Sequence, residues 1–181
     1  GGNKVNGIYY SKVKNETWIT VLGGPAILYK EGRFKRFGPE LGLTSNVVQD
    51  AAFDRNGNPW FATYDDGVFY FENDQFINLR EKVELTSNTT FAISIDEKES
   101  VWIGHSWGLD MYRIPFDDAA FFGIDQGFMG IEVNPSAIEC LGSNQVWMGT
   151  LMGLLKFNPT HFRLNISEPV TQIKSATLSG Q

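Results

Sequence analysis

Short runs of apolar residues alternate along the chain with turns rich in glycine, asparagine and aspartate. The clearest runs lie at 47–53, 59–63, 68–71 and 75–79. Asn56 and Gly57 separate the first run from the second, and an Asn-Gly pair between apolar runs is a strong signal for a tight β-hairpin. No helical period of useful length interrupts this pattern. The segment therefore predicts four short strands in an antiparallel meander.

The same plan recurs along the chain, marked by one tryptophan in the second run of each repeat. Trp18, Trp60, Trp102 and Trp147 are separated by 42, 42 and 45 residues. A glycine follows each of them six or seven positions later, where a turn with positive φ is expected. A repeat of about 40–45 residues built from short strands is typical of a propeller blade. We therefore predict an all-β fold, a β-propeller with four four-stranded antiparallel blades.

The predicted blades occupy residues 1–166, at about 5–37, 46–79, 90–114 and 136–166, with a tail at 167–181. A small sheet cannot bury both of its faces alone, whereas sheets stacked around an axis bury them against each other. An indole at one equivalent place in each sheet fills the gap between neighbours. The four periodic tryptophans are therefore predicted to be structural, in the packing between blades.

Four blades lie at the lower end of the usual propeller range, so two interpretations remain open. The chain forms a closed four-bladed ring, or it is an arc of a larger propeller. An arc would expose an apolar face at each end, and such faces drive association. We favour the arc, either as a fragment of a larger ring or completed by self-association. A dimer would close an eight-bladed ring.

The charge and hydropathy of the chain argue against two classes of binding partner. The net charge of −6 argues against nucleic acid or an anionic membrane as the main partner. No apolar run approaches the roughly 20 residues that span a bilayer, so no membrane contact is expected in this fragment. The chain opens without a hydrophobic segment, which predicts no signal peptide in this sequence. The single cysteine, Cys140, excludes an internal disulfide and is expected to be a buried structural thiol.

Motifs that carry chemistry are absent from the sequence. Its two histidines, His105 and His161, exclude a multi-histidine metal site within one chain. No nucleophile elbow, phosphate loop or dinucleotide fingerprint occurs. The sequence therefore predicts no catalytic residues, no metal site and no cofactor.

The fifth tryptophan, Trp107, falls outside the period and inside the turn before the third strand of its repeat. Turns of this type share one side of a propeller with the connections that enter each innermost strand. An aromatic ring flanked by hydrogen-bonding groups suits a sugar, because the ring stacks on the apolar face of a pyranose. The candidate ligand is therefore an oligosaccharide. The candidate binding residues are Trp107, His105, Ser106, Tyr64, Asp65, Asp66, Asn46, Asn88 and Asn134.

Each of these residues also has a structural interpretation. Trp107 packs over its own blade in that view, and His105 is a hydrogen-bonded loop histidine. The asparagines are then turn formers whose side chains hold the local backbone.

Several phrases resemble the two-component-regulator propeller repeat. They are Gly-Leu-Thr-Ser-Asn at 42–46, Phe-Asp-Arg-Asn-Gly-Asn-Pro-Trp-Phe-Ala-Thr at 53–63, Gly-Val-Phe-Tyr-Phe at 67–71, Val-Trp-Ile-Gly at 101–104, Val-Trp-Met-Gly-Thr at 146–150 followed by Gly-Leu at 153–154, Asp-Gln-Gly-Phe-Met at 125–129 and Val-Asn-Pro-Ser-Ala at 133–137. The resemblance is good in the last three repeats. It is weak in the first, where residues 20–23 depart from the Gly-Thr pattern.

In that family, propellers form the extracytoplasmic sensor of membrane-bound hybrid histidine kinases, often in gut bacteria that degrade polysaccharides. The resemblance implies a non-catalytic, periplasmic, ligand-sensing propeller fragment of a two-component sensor histidine kinase. It also implies that the tail at 167–181 begins a β-sandwich domain. Two alternatives stay open: a propeller enzyme of the lyase, lactonase or glycosidase type, and a protein-interaction scaffold without a small ligand.

Overall fold

A computed structural model of the 181-residue chain describes residues 4–126, 128 and 132–159, which form antiparallel sheets in chain order. Blade one contains β1 (Lys4–Ser11), β2 (Glu16–Leu22), β3 (Ala26–Lys30) and β4 (Arg33–Phe37). Blade two contains β5 (Val48–Phe53), β6 (Pro59–Thr63), β7 (Val68–Glu72) and β8 (Gln75–Asn78). Each strand pairs with the next one along the chain, as in a meander.

The remaining strands follow the same order. Blade three contains β9 (Thr90–Ile95), β10 (Ser100–His105), β11 (Gly108–Arg113) and β12 (Asp118–Phe122). Blade four contains β13 (Val133–Leu141), β14 (Gln145–Thr150) and β15 (Gly153–Phe157). Short 3₁₀ turns at Pro39–Leu41, Leu79–Glu81 and Ile124–Gln126 lie in the connections between blades. The predicted all-β propeller fold is confirmed.

The third and fourth blades differ from the predicted boundaries. Blade three was expected to end at residue 114, but β12 pairs with β11 along its whole length, from Asp118 opposite Arg113 to Phe122 opposite Leu109. Because β12 begins with a polar residue followed by two alanines, its sequence does not form a clear apolar run. Blade four begins at Val133, three residues before its predicted start. Its predicted fourth strand and the tail at 167–181 lie outside the described residues.

Successive sheets bury their facing sides in three apolar clusters, one at each junction between blades. In the first junction, Trp18 is fully buried against Phe37, Phe61 and Phe76. Trp60 and Trp102 occupy the same place in the second and third junctions. All three indoles are buried in the packing between blades.

One ring contact repeats at all three junctions. The tryptophan of each blade contacts an aromatic ring on the third strand of the next blade. The pairs are Trp18–Phe71, Trp60–Tyr112 and Trp102–Phe157, with ring centroids 5.3, 5.9 and 5.7 Å apart. This contact fixes the relative position of neighbouring sheets through offset and edge-on aromatic packing.

Trp147 has no following blade to pack against among the described residues, so its role as an inter-blade residue stays a prediction. It is only half-buried, with Lys156 over its ring at 5.3 Å, and it lies on the side of blade four that faces away from blade three. Blade one is similarly open on its outer side, where Ile8 is 69% and Phe34 is 68% exposed. The end blades do not cover each other, and the described residues therefore form an open arc.

Candidate ligand-binding face

One side of the arc carries the turn between the second and third strands of every blade, together with the connections between blades. The register places the start of each first strand beside the end of the second, with Val48 opposite Thr63 and Thr90 opposite His105. We call this side the tip face. The opposite side carries the other hairpin turns, including the one at Phe116.

Trp107 stands at the tip of the β10–β11 hairpin in blade three, with 69% of its surface exposed. The backbone beneath it is held firmly, because the Trp107 N–H donates to His105 Nδ1 at 3.2 Å. Gly108 follows with φ at 139°, a conformation that a residue with a side chain adopts with strain. The structure therefore presents this indole to solvent on a fixed turn, and the packing interpretation of Trp107 does not hold.

His105 is fully buried and cannot touch a ligand at the surface, which corrects its place among the candidate residues. Its ring stacks on Phe121 with centroids 5.9 Å apart, and its Nε2 lies 3.5 Å from Asp110 Oδ2. Asp110 in turn accepts hydrogen bonds from the backbone N–H and the hydroxyl of Thr86. His105 thus positions the Trp107 turn against the connection that enters blade three. Ser106 is half-buried in the same turn.

The corresponding turn of blade two carries an exposed Tyr64 and two acids that accept hydrogen bonds from the preceding connection. Tyr64 is 52% exposed and lies 6.4 Å from Phe91 of blade three, measured between ring centroids. Asp65 accepts a hydrogen bond from Ser45 at 2.5 Å. Asp66 accepts one from the Thr44 hydroxyl and pairs with Arg80. The two carboxylates therefore hold the turn to its neighbours, and the exposed residues of this turn are Tyr64 and Asp65.

The asparagines divide into two groups. Asn46 and Asn88 are exposed at equivalent places in the connections that enter blades two and three. The carbonyl of Asn46 accepts from the Gly23 N–H and that of Asn88 from the Gly67 N–H, so their backbones fasten one blade to the previous one. Their side-chain amides stay on the tip face. Asn134 instead lies within β13, at a bulge between Val133 and Ile138, and is half-buried.

Sequence reasoning missed three exposed apolar residues on the tip face. Leu151 and Met152 form the β14–β15 tip and are 66% and 74% exposed, and Leu22 at the blade-one tip is 45% exposed. With Trp107 and Tyr64, they place at least one large apolar side chain at every tip. The signal was present in the repeat, since all five residues lie in the turn before the third strand or directly before it.

The innermost strands are joined by a side chain-to-backbone hydrogen bond at each junction. Asn6 Nδ2 donates to the Val48 carbonyl at 2.6 Å, and Asp50 Oδ2 accepts from the Ile93 N–H at 3.0 Å. Ser94 Oγ accepts from the Cys140 N–H at 3.2 Å. The axis is therefore lined by groups that fasten successive blades to each other.

Asp50, on the innermost strand of blade two, is an acidic group with a clearly shifted pKa. Burial raises its pKa to about 6, and Glu139 adds to the increase, whereas the backbone N–H groups of Ile93 and Ala51 lower it. Burial also raises the pKa of the half-buried Cys140 thiol to about 12, so this thiol remains protonated at neutral pH. At both groups, burial is therefore the main cause of the raised pKa.

The shift at Asp50 predicts a specific pH dependence of stability. The folded chain holds the Asp50 proton more tightly than the unfolded chain, so the contribution of Asp50 to stability falls as the pH rises from about 4 to about 6. A shift of this size corresponds to roughly 2–3 kcal/mol. Urea unfolding of the wild type and Asp50→Asn at pH 4 and pH 7 measures it. The wild type should lose that much more stability than the variant between the two pH values, and parallel losses would contradict the assignment.

Within the described ranges, no group of three or more histidine, cysteine or acidic side chains is arranged to hold a metal ion. Among those same residues, no helix is long and apolar enough to cross a membrane. The tip face presents exposed rings at Trp107 and Tyr64 and exposed asparagines at 46 and 88.

Comparison with solved structures supports the fold. The extracellular domain of BT3049 from B. thetaiotaomicron, described as a hybrid two-component system, is similar with a TM-score of 0.74 and 21% identity over 86% of this chain and 22% of its own. The extracellular domain of BT4673 from the same organism, described as a one-component system, gives a TM-score of 0.68 and 17% identity over 90% of this chain and 25% of its own. The chain thus spans about a quarter of the length of these domains.

A third similar structure is a WD40 propeller domain. The WD40 β-propeller domain of Doa1 gives a TM-score of 0.63 with 12% identity, over 84% of this chain and 49% of its own. No protein-family model matches the chain, and the search of curated proteins finds no match. At these identities the likenesses show the propeller fold.

Proposed function

We propose that this chain is a non-catalytic segment of the periplasmic sensor of a two-component system, and that it binds an oligosaccharide on its tip face. The observation that carries the proposal is Trp107. Its indole is 69% exposed at a rigid tip, in a chain whose other tryptophans are buried or half-buried in or beside blade packing.

The tip face has the chemistry that sugar binding requires. A pyranose presents an apolar face of C–H groups and a rim of hydroxyls. Trp107 and Tyr64 supply exposed rings, and the amides of Asn46 and Asn88 supply hydrogen-bond donors and acceptors. The rings sit on tight hairpins whose backbones are already hydrogen-bonded, so little conformational entropy is lost when a ligand binds.

The fold likeness supports the sensor role. Both B. thetaiotaomicron structures are extracellular domains of proteins described as signalling systems, and this chain matches part of each. In the proposed mechanism, ligand binding across neighbouring tips changes the geometry of the blades, or of a dimer of arcs, and a histidine kinase elsewhere in the parent protein responds. The two-component-regulator repeat family and the periplasmic location belong to the same proposal.

A calorimetric screen tests the binding step. The probes are linear hexasaccharides of glucose, xylose, mannose and arabinose, each titrated into the wild type and into Trp107→Ala. At least one probe should bind the wild type, and the variant should bind it at least 10-fold more weakly, because stacking on an aromatic ring contributes roughly 1–3 kcal/mol in a desolvated contact.

Phe116→Ala provides the matched control. Phe116 is also 69% exposed in blade three, but it lies on the opposite side of the arc. Its removal should leave the affinity unchanged. If the wild type and Trp107→Ala bind a hexasaccharide with equal affinity, the tip face is not where the sugar binds. Stoichiometric metal in the purified chain, with turnover of the sugar, would favour the propeller-enzyme alternative.

A further inference from the structure

The turn beneath Trp107 is built differently from the equivalent turns of blades two and four. In those blades the residue three positions after the periodic tryptophan is a threonine, Thr63 or Thr150. Its hydroxyl donates to the carbonyl of the glycine that follows the turn. The same oxygen accepts a backbone N–H of the turn, from Asp66 in blade two and from Met152 in blade four, at 3.2 Å. Blade three has His105 at this position, so an imidazole replaces a hydroxyl as the group that holds the turn.

A second departure lies beside the first, on the third strand of the same blade. Asp110 is 3% exposed and occupies the position that is apolar in the other blades. The equivalent residues, by strand register, are Ile27, Phe69 and Leu155. A buried carboxylate costs free energy unless it is paired and hydrogen-bonded. Blades two and four form the same turn without a buried acid, so the propeller fold does not require one.

The hydrogen bond to Trp107 defines which nitrogen of His105 carries the proton. Because Nδ1 accepts from the Trp107 N–H, the neutral ring has its hydrogen on Nε2. Nε2 is buried, makes no hydrogen bond within the described part of the chain, and lies 3.5 Å from Asp110 Oδ2. A second proton can therefore bind only at Nδ1, which is the atom that holds the Trp107 turn.

Protonation of the ring has two effects of opposite direction. A proton on Nδ1 converts the acceptor into a donor that faces the Trp107 N–H, so this hydrogen bond is lost. The positive ring is then attracted to the Asp110 carboxylate, which two hydrogen bonds from Thr86 keep in place. The ring thus loses its bond to the turn and gains an ion pair at the connection that enters blade three. We call His105, Asp110 and Thr86 the blade-three latch.

Asp110 is the buried charged group that faces the ring of the latch. β12 contributes the stacked ring of Phe121, and β9 contributes Thr90, which lies opposite His105 in register. The other ionisable groups of the blade-two tip and of the following connection reach solvent, namely Asp65, Asp66, Arg80, Glu81, Lys82 and Glu84. Solvent screens these charges, so the Asp110 carboxylate dominates the electrostatics of the imidazole.

We propose that His105 is a proton-operated latch on the tip face, which holds the Trp107 turn when neutral and releases it when protonated. Histidine is the side chain whose charge ordinarily changes between about pH 5 and about pH 8, so acidification is the signal that this latch detects. Release of the turn removes the fixed backbone beneath the Trp107 indole and weakens ligand binding. The effect on the ligand rests on the proposed function, whereas the movement of the turn does not.

NMR without any sugar tests the latch itself. The His105 ring signals and the Trp107 backbone amide are followed from about pH 8 to about pH 5. They should shift with one common midpoint. The Trp107 amide should also exchange with solvent about 10-fold faster at the lower pH, after correction for intrinsic exchange, because its hydrogen bond is lost. A Trp107 amide that does not respond while His105 titrates, or a His105 ring that stays neutral throughout, would overturn the proposal.

Two variants of His105 remove the titrating group and keep an acceptor for the Trp107 N–H. His105→Thr restores the residue that blades two and four use. His105→Asn is the second variant, because its amide oxygen takes the place of Nδ1 and does not titrate. In a folded variant of either kind the Trp107 amide should stay protected at both pH values. Loss of its protection at the lower pH in these variants would show that His105 is not the latch.

Two further substitutions control for other groups that change charge in the same range. Asp50 has a pKa of about 6 on β5, and His161 is the second histidine of the chain. Asp50→Asn and His161→Ala should both keep the pH response of the Trp107 amide. A response that disappears in one of them would assign the effect to that residue instead.

The link to binding is tested with the hexasaccharide identified by calorimetry. Its affinity for the wild type should fall about 10-fold from the higher to the lower pH, and its affinity for His105→Thr should not change. Equal wild-type affinity at both pH values, with a responding Trp107 amide, would show that the latch does not control the site. If no hexasaccharide binds, the proposed function fails, and the sugar-free NMR measurement still decides whether the latch exists.

Discussion

Replacing Trp102 with alanine is expected to lower the free energy of unfolding by about 3–5 kcal/mol. Trp102 is fully buried at the junction of blades three and four, with Phe122 and Phe157 5.8 and 5.7 Å away between ring centroids. Its Nε1–H also donates to Asp96 Oδ2 at 3.2 Å. The substitution leaves a cavity between two sheets and removes a buried hydrogen bond, and both effects have the same sign.

Trp107→Ala is the matched control, because it makes the same deletion at the tip of the same β10–β11 hairpin. With 69% of Trp107 exposed, its removal should change the free energy of unfolding by no more than about 0.5 kcal/mol. Urea unfolding followed by circular dichroism measures both variants. Similar losses for the two variants would show that the periodic tryptophan is not the packing residue that the structure indicates.

Replacing Gly42 with alanine is expected to cost about 3 kcal/mol, from two sources. Gly42 has φ at 90°, which is strained for any residue with a side chain. An added Cβ would also lie 1.9 Å from the carbonyl oxygen of Phe76 in blade two. Backbone atoms of the β8 strand cannot move away without disturbing the sheet, so the connection between blades one and two must shift.

Gly32→Ala separates the two sources. Gly32 also has a positive φ, 77°, but an added Cβ there meets no atom within 4 Å. Its substitution should cost about 1 kcal/mol, from the backbone conformation alone. The difference between the two variants in urea unfolding reports the contact with Phe76. Equal costs would show that the connection is loosely packed against β8.

Much of the fold is predictable from the sequence because it repeats. The interval between Trp18, Trp60 and Trp102 predicts both the blades and the burial of these indoles. The Asn56-Gly57 pair predicts the turn between β5 and β6, where Gly57 has φ at 78°. Repetition is informative here because the same packing problem recurs at each junction and is solved with the same residue type.

The structure differs from the sequence-based predictions at positions where contacts with other parts of the fold decide the outcome. The half-buried position of Trp147 depends on whether another sheet covers blade four, which its own repeat does not encode. β12 has a weak pattern of its own and forms because β11 offers a paired edge. Tertiary context therefore decides both cases.

The candidate site was predictable in part. The place of Trp107 outside the period singled it out, but the sequence left open whether it packs over its own blade or faces solvent. The structural alternative for His105, a hydrogen-bonded loop histidine, agrees with its contact to the Trp107 N–H, whereas its full burial depends on Asp110, Phe121 and the Thr86 connection, which surround it only in the folded blade. Polar residues beside an exposed ring in the sequence need not lie beside it on the surface.

The most direct test of the central claim is a two-dimensional NMR titration of the indole N–H signals of the five tryptophans. The titrant is the hexasaccharide that binds in the calorimetric screen, added at constant protein concentration. The Trp107 signal should shift progressively as sugar is added, while those of Trp18, Trp60 and Trp102 stay in place. Binding that moves the three buried signals and leaves Trp107 unchanged would contradict it.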